Sequence, residues 1–226
     1  MKSLLKSAKE AVKALAFRYT SLGAPTYRYN IEPIQLAFLV NECERLKSSN
    51  GNIVEIGVAR GLTTRFLCEH ITSQGLEKTL TLYAIDTFDS FTRGDLEFEV
   101  NERGKSLAEL EGFSYNDLDA WKKNFVRYPF VKAVKGDCAS VDYSAIAPIK
   151  IALLDVDLYL PTKKTLPKLY ASMIEGGVIL VDDIMDKSVY DGAYQAYMEF
   201  CTDLGIAPHV IGNKCGVIYK GGMPRT

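Results

Sequence analysis

Acidic residues in this chain fall at the ends of apolar runs, where side chains able to do chemistry would be gathered. Glu55 lies in Asn52 to Ile56, Asp86 closes Leu80 to Ile85, and Asp137 follows Val131 to Val134. Asp155 and Asp157 stand at the end of Ile149 to Val156, and Asp182 and Asp183 follow Val178 to Val181. Short apolar runs bounded by turn residues read as buried strands. In an open parallel sheet, ligands bind beyond the carboxyl ends of the strands near the point where the strand order reverses, so these acids are expected to converge there. Carboxylates held close together are costly, and a cation is the natural way to offset them.

The elements that must position these acids alternate. Helical patterns at Leu62 to Ile71, Tyr115 to Arg127, Thr162 to Met173 and Tyr190 to Leu204 separate the apolar runs, which predicts parallel strands joined by right-handed crossovers. The last two runs, Pro208 to Ile211 and Gly216 to Tyr219, are separated by Asn213-Lys214, a hairpin signal. The expectation is an α/β fold: a doubly wound, mostly parallel seven-stranded sheet with an antiparallel C-terminal hairpin. Two amphipathic segments come first, Met1 to Arg18 and Ile34 to Leu46, with a break at Gly23-Ala24-Pro25. No linker is visible, so residues 1–226 read as one domain: a helical extension over 1–50, a core over 51–221, and a polar stretch over 89–113. Long loops are uncommon unless functional or disordered, and this one is expected to be a lid or substrate loop. Trp121, the only tryptophan, is expected in the core.

Composition excludes several classes. A net charge of −1 gives no bulk attraction to nucleic acid or to an anionic membrane, so a small-molecule partner is expected. The five cysteines are scattered without a CxxC pair, which reads as reduced thiols in a cytoplasmic protein. His70 and His209 stand alone, leaving little material for a histidine metal site or an acyl-transfer triad. The N-terminal segment has no run long enough to span a membrane. Its apolar stripe fits packing on the domain or on a second subunit, the latter giving a homo-oligomer.

The run Val54-Glu55-Ile56-Gly57-Val58-Ala59-Arg60-Gly61 is a strand entering a glycine turn and then a helix, whose N-terminus carries positive potential. Gly57 and Gly61 permit close backbone approach to a ligand. The spacing is GxxxG, not the GxGxxG of a pyrophosphate turn, which argues against a nicotinamide or flavin enzyme. An acid ahead of the glycines repels a pyrophosphate and suits a cationic amino acid. Asp86 is placed to accept both hydroxyls of a ribose, or to cap a helix. Asp137 is placed to meet an exocyclic adenine amine, or to serve a turn.

With these residues in place the chain resembles the class I S-adenosylmethionine methyltransferases, and its second half is similar to the macrocin O-methyltransferase (TylF-like) family. The resemblance spans roughly residues 27 to 221. It rests on the glycine motif, on Ala84-Ile85-Asp86-Thr87-Phe88-Asp89-Ser90-Phe91, and on Leu154-Asp155-Val156-Asp157-Leu158-Tyr159 followed by Gly176-Gly177 and Val181-Asp182-Asp183. Val156 stands where the family usually has glycine, and the loop after Phe91 lacks the family's Gly-Leu-Pro ending. The resemblance implies that Glu55 and Gly57 contact the methionine and ribose part of S-adenosylmethionine. It implies that Asp86 binds the ribose and that Asp155, Asp182 and Asp183 hold Mg²⁺; Gly61, Thr87, Asp137 and Cys138 are the further cofactor-binding candidates. Hard oxygen ligands suit that ion. The implied reaction is a single methyl displacement onto a small-molecule hydroxyl, on a sugar or natural-product glycoside. Asp157 or a metal-bound acid such as Asp155 takes the proton, and Tyr159 serves the acceptor side. Two alternatives are a metal-independent small-molecule methyltransferase and a cofactor-binding subunit without catalysis.

Overall fold

The computed structural model describes residues 2–20, 27, 29–110 and 112–222; the expected break at Gly23-Ala24-Pro25 lies outside them. The chain divides into two units, Met1–Asn30 and Ile31–Thr226. The first contains helix α1 (Lys2–Tyr19). No helix among the described residues is long and apolar enough to cross a membrane.

The second unit carries α2 (Pro33–Arg45), β1 (Asn52–Ile56), α3 (Leu62–Ser73), β2 (Leu82–Asp86), α4 (Arg93–Asn101), α5 (Leu107–Leu110), α6 (Leu118–Phe125) and β3 (Val131–Lys135). It continues with β4 (Ile149–Leu154), α7 (Tyr159–Ser172), β5 (Met173–Val181), α8 (Asp191–Asp203), β6 (His209–Ile211) and β7 (Cys215–Tyr219). The seven strands form one sheet in the order β3-β2-β1-β4-β5-β7-β6. Strands β1 to β5 run parallel, and β7 joins β5 antiparallel, with β6 at the edge. The expected sheet and its closing hairpin are both present. Strands buried on both faces need continuous apolar sequence, and all six residues of β4 are buried, Lys150 included. Lys150 keeps its ammonium hydrogen-bonded to the carbonyls of Leu46 and Ser49, at 3.3 Å each.

Two boundaries differ from the sequence reading. Helix α2 belongs with the core, so the division falls near residue 30 and not near 50. It begins with a capping box between Glu32 and Gln35 and buries Leu36, Leu39 and Cys43. The expected lid is helical over α4 and α5, with Glu99 and Leu110 buried.

Strand register sets the site. Ile56 pairs with Ile85 and with Leu154, and Leu154 pairs with Val181. The residues that follow, Gly57, Asp86, Asp155 and Asp182, therefore leave the sheet at one level. Backbone bonds hold that level: Asp155 N–H donates to Ile56 O at 2.8 Å, and Asp182 N–H to Leu154 O at 2.9 Å. The strand order reverses between β1 and β4, and there Gly57 has φ +80° and lies so close to β4 that a Cβ would stand 1.7 Å from Asp155 O. Gly75 also has positive φ, +67°, but faces open space. Gly75→Ala is expected to cost about 1 kcal/mol for the left-handed backbone alone. Gly57→Ala should exceed about 3 kcal/mol, because overpacking adds to that cost. Urea unfolding of the two variants checks this, and equal losses would mean that the β1–β4 contact relaxes freely.

Candidate active site

Four carboxylates meet beyond β4 and β5. Oxygens of Asp155, Asp157 and Asp183 lie within 4.8 Å of one another. Asp157 (φ 62°) and Asp183 (φ 55°) both adopt the left-handed backbone that non-glycine residues rarely occupy. Asp157 is pinned on each side: Leu158 N–H donates to Val156 O at 2.6 Å, and Ala193 N–H, at the start of α8, donates to Asp157 O at 3.2 Å. Burial, reinforced by Asp182, Asp157 and Asp183, pushes the Asp155 carboxyl well above the usual carboxylate range. Burial and Asp183 do the same to Asp157.

Asp182, expected with Asp155 and Asp183 as a ligand, is engaged elsewhere. Its Oδ1 accepts from Gln35 Nε2 at 2.7 Å and its Oδ2 from Lys214 Nζ at 2.8 Å. The three oxygens brought together are those of Asp155, Asp183 and Asp157, the last expected only as a proton acceptor. Lys214 also donates to Asp183 Oδ1 at 2.7 Å. Opposing the cost of its own burial, Asp182 and Asp183 raise the Lys214 ammonium above its ordinary value.

Glu55, at the end of β1, is 1% exposed. Its Oε2 has no hydrogen-bond partner among the described residues. Burial lifts its pKa to about 8, with Asp86 adding to the rise and Thr64 opposing it. A buried, unpartnered carboxylate oxygen is costly unless a ligand cation or donor meets it. The other expected cofactor contacts have visible structural work. Asp86 Oδ2 accepts from the N–H groups of Val58 and Ala59 at 2.7 and 3.2 Å, and Oδ1 from Phe88 N–H at 2.7 Å, so Asp86 holds the glycine turn in shape. Thr87 Oγ1 donates to Ser90 O at 2.9 Å. Gly61 makes room for aromatic rings, since a Cβ there would lie 2.6 Å from the Phe125 ring and 2.9 Å from Trp121 Nε1. Trp121 is buried and stacks on Phe125 with centroids 4.0 Å apart. Asp137 caps the short 3₁₀ turn Cys138–Ser140 by accepting from Ala139 N–H at 2.8 Å. Burial pushes the Cys138 thiol up to about 11, and its Sγ accepts from Thr165 Oγ1 at 3.3 Å.

Helix α4 ties the site from the side. Glu99 accepts from Tyr159 N–H at 2.7 Å, which caps α7 two residues after Asp157, and from Arg103 Nε at 2.8 Å. Arg103 and Lys105 each reach Asp191 at 2.7 Å, which joins this helix to the start of α8. Phe91, Phe113 and Tyr190 form an aromatic wall nearby, with Phe91 centroids 5.5 Å from Phe113 and 6.3 Å from Tyr190. Burial and the nearby Asp157 and Asp183 raise the Tyr190 phenol.

Sequence comparison supplies the family. Residues 35–219 match the family model of the macrocin O-methyltransferases, TylF. The chain belongs to this family. It is an S-adenosylmethionine-dependent O-methyltransferase. Its fold is similar to that of the O-methyltransferase NovP, at 20% identity, TM-score 0.68, covering 86% of this chain and 83% of that one. It is similar also to the calicheamicin methyltransferase CalS11, at 15% identity, TM-score 0.67, covering 83% and 79%. A third likeness is to SMU.1697c from Streptococcus mutans, solved with SAH, at 14% identity, TM-score 0.52, covering 85% and 99%. At these identities the likenesses speak to fold alone. No protein of curated function matches the sequence.

Gln35, Glu99 and Lys214 were missed by the sequence reading of this methyltransferase. Gln35 carries only a helix-start signal, Lys214 only a hairpin signal, and Glu99 sits in a stretch read as a polar loop.

The unfolded chain ionises Glu55 above its ordinary pKa of 4.5, whereas the folded protein does so only above about 8. The folded state binds more protons in that window, so stability from this group falls as pH rises through it. Glu55→Gln should therefore stabilise the free protein at pH 8 by on the order of a few kcal/mol and change it little near pH 4.5. Urea unfolding across that range measures the effect; a pH-independent difference would rule out the shift.

Proposed function

We propose that the enzyme transfers a methyl group from S-adenosylmethionine to a hydroxyl of a sugar or natural-product glycoside, and that a divalent metal such as Mg²⁺ takes part. The observation that carries this reading is the approach of Asp155, Asp157 and Asp183 within 4.8 Å beyond β4 and β5, one strand from the unpartnered oxygen of Glu55. The methyl donor is placed over the β1 end. The Glu55 carboxylate meets the methionine ammonium, Gly57 allows the backbone to approach, and Asp86, beside the glycine turn it braces, accepts from the ribose.

Three hard carboxylate oxygens, with Lys214 the cation paired to this cluster, fit a metal of the Mg²⁺ class. A metal held there supplies Lewis acidity and orientation to the acceptor hydroxyl. Asp157, at the acceptor end of this cluster, takes the hydroxyl proton. The acceptor oxygen forms the new bond to the methyl carbon as the carbon–sulfur bond breaks, and its electron pair stays on sulfur. Phe91, Phe113 and Tyr190 give the acceptor an apolar flank, suited to the C–H face of a sugar ring.

Calorimetry with S-adenosylhomocysteine tests the donor site: micromolar binding is expected, weakened at least tenfold in Glu55→Gln. Incubation of the protein with labelled S-adenosylmethionine, Mg²⁺ and a panel of glycosides tests the rest. Transfer to a sugar hydroxyl is expected, reduced at least a hundredfold by chelator and by Asp157→Asn. Transfer that survives chelation would remove the metal from the reading, and failure to bind S-adenosylhomocysteine in a folded sample would remove the donor site.

A further inference from the structure

Lys214 stands at the acid cluster with no part in the reaction just described. The turn that carries it is fixed on two sides. Ile184 N–H donates to Lys214 O at 2.9 Å, and Glu32 accepts from Asn213 N–H at 2.8 Å and Asn213 Nδ2 at 2.7 Å. The ammonium, with its side chain 16% exposed, bridges Asp182 Oδ2 and Asp183 Oδ1 at 2.8 and 2.7 Å. Gln35 occupies the other Asp182 oxygen. The result is a tethered, partly buried positive charge among Asp155, Asp157, Asp182 and Asp183.

We propose that Lys214 is the resident counter-ion of this cluster and sets its metal affinity. With Gln35 it occupies both oxygens of Asp182, and it takes one oxygen of Asp183, so a divalent ion must compete with its charge for these acids. Its charge also opposes a second cation beside it, because like charges at short range in a partly desolvated site repel strongly. The protein thereby keeps Asp182 and Asp183 paired to a cation of its own and binds a divalent ion weakly enough to exchange it. This inference rests on the metal reading above.

The test is titration of the full-length protein with Mn²⁺ alone, followed by electron paramagnetic resonance, for wild type, Lys214→Gln and Lys214→Arg. Lys214→Gln should bind Mn²⁺ at least tenfold more tightly than wild type, and Lys214→Arg, which keeps the charge, within about threefold of it. Thermal melts should show a larger Mn²⁺-induced rise in Tm for Lys214→Gln than for wild type. If Lys214→Gln does not fold, Asn213→Ala, which removes one of the two hydrogen bonds that tie the turn to Glu32, should raise the affinity in the same direction. Affinity that is unchanged or weaker in the neutral variant overturns the proposal, since Lys214 would then align Asp183 for the metal and not oppose it. Silence toward Mn²⁺ in every protein overturns the metal reading and this inference together.

Discussion

The constraint on which this structure turns is the crowding of four carboxylates at the carboxyl ends of two neighbouring strands. Left to themselves these side chains would repel and reach for water. The sheet prevents it, because Asp155 and Asp182 are each tied by a backbone N–H to the strand alongside, and their level follows from the pairing of Ile56, Leu154 and Val181. Asp157 and Asp183 are bent back toward the cluster by left-handed backbone. Strain of this kind persists only where the surroundings over-determine it, and here α7, α8 and the β6–β7 turn do so.

Much of the periphery is explained by that crowding. Helix α2 offers Gln35 to Asp182, and the hairpin turn, bolted to α2 through Glu32 and Asn213, offers Lys214. On the opposite side, α4 brings a buried Glu99 to cap α7, and the charge of Glu99 is met by Arg103. A buried acid without such a partner would cost several kcal/mol, so the Arg103–Asp191–Lys105 chain is the condition for placing Glu99 there at all.

The sequence made the sheet legible because its signal is local. Strand-length apolar runs, glycine turns and Asn213-Lys214 each declare themselves within a few residues, and β1 was read at its observed bounds. The acids were legible for the same reason, since a strand-end position can be read from the run before it. Their partners were not. Gln35 lies 147 residues from Asp182, and Glu99 lies 60 from Tyr159, so no local pattern connects them. Gly61 shows the same limit from another side. A glycine after a strand looks like room for a ligand, and only the packing of Trp121 and Phe125 reveals what fills the space. The helices in the polar stretch after Phe91 were not legible, because Glu99 and Arg103 are polar and yet largely enclosed, which composition cannot distinguish from a loop.

On the proposed reading, the division of labour between strands also accounts for how one fold can keep its chemistry while changing its acceptor. The donor side rests on Glu55 and Gly57 at the end of β1, the proton and metal side on the acids after β4 and β5. β1 and β4 are hydrogen-bonded neighbours, so the two sides are separated by about one strand spacing, roughly 4.8 Å, fixed by backbone bonds. A displacement that needs its reacting atoms aligned gains most from such rigidity. The acceptor wall is built differently: Phe91, Phe113 and Tyr190 come from segments outside the strands, joined by ring contacts and by a hydrogen bond from Ser90 Oγ to Gly112 O at 2.6 Å. Substitution there alters the shape of the acceptor space without moving a strand end. Acceptor choice is therefore free to vary on a transfer geometry that the sheet holds constant.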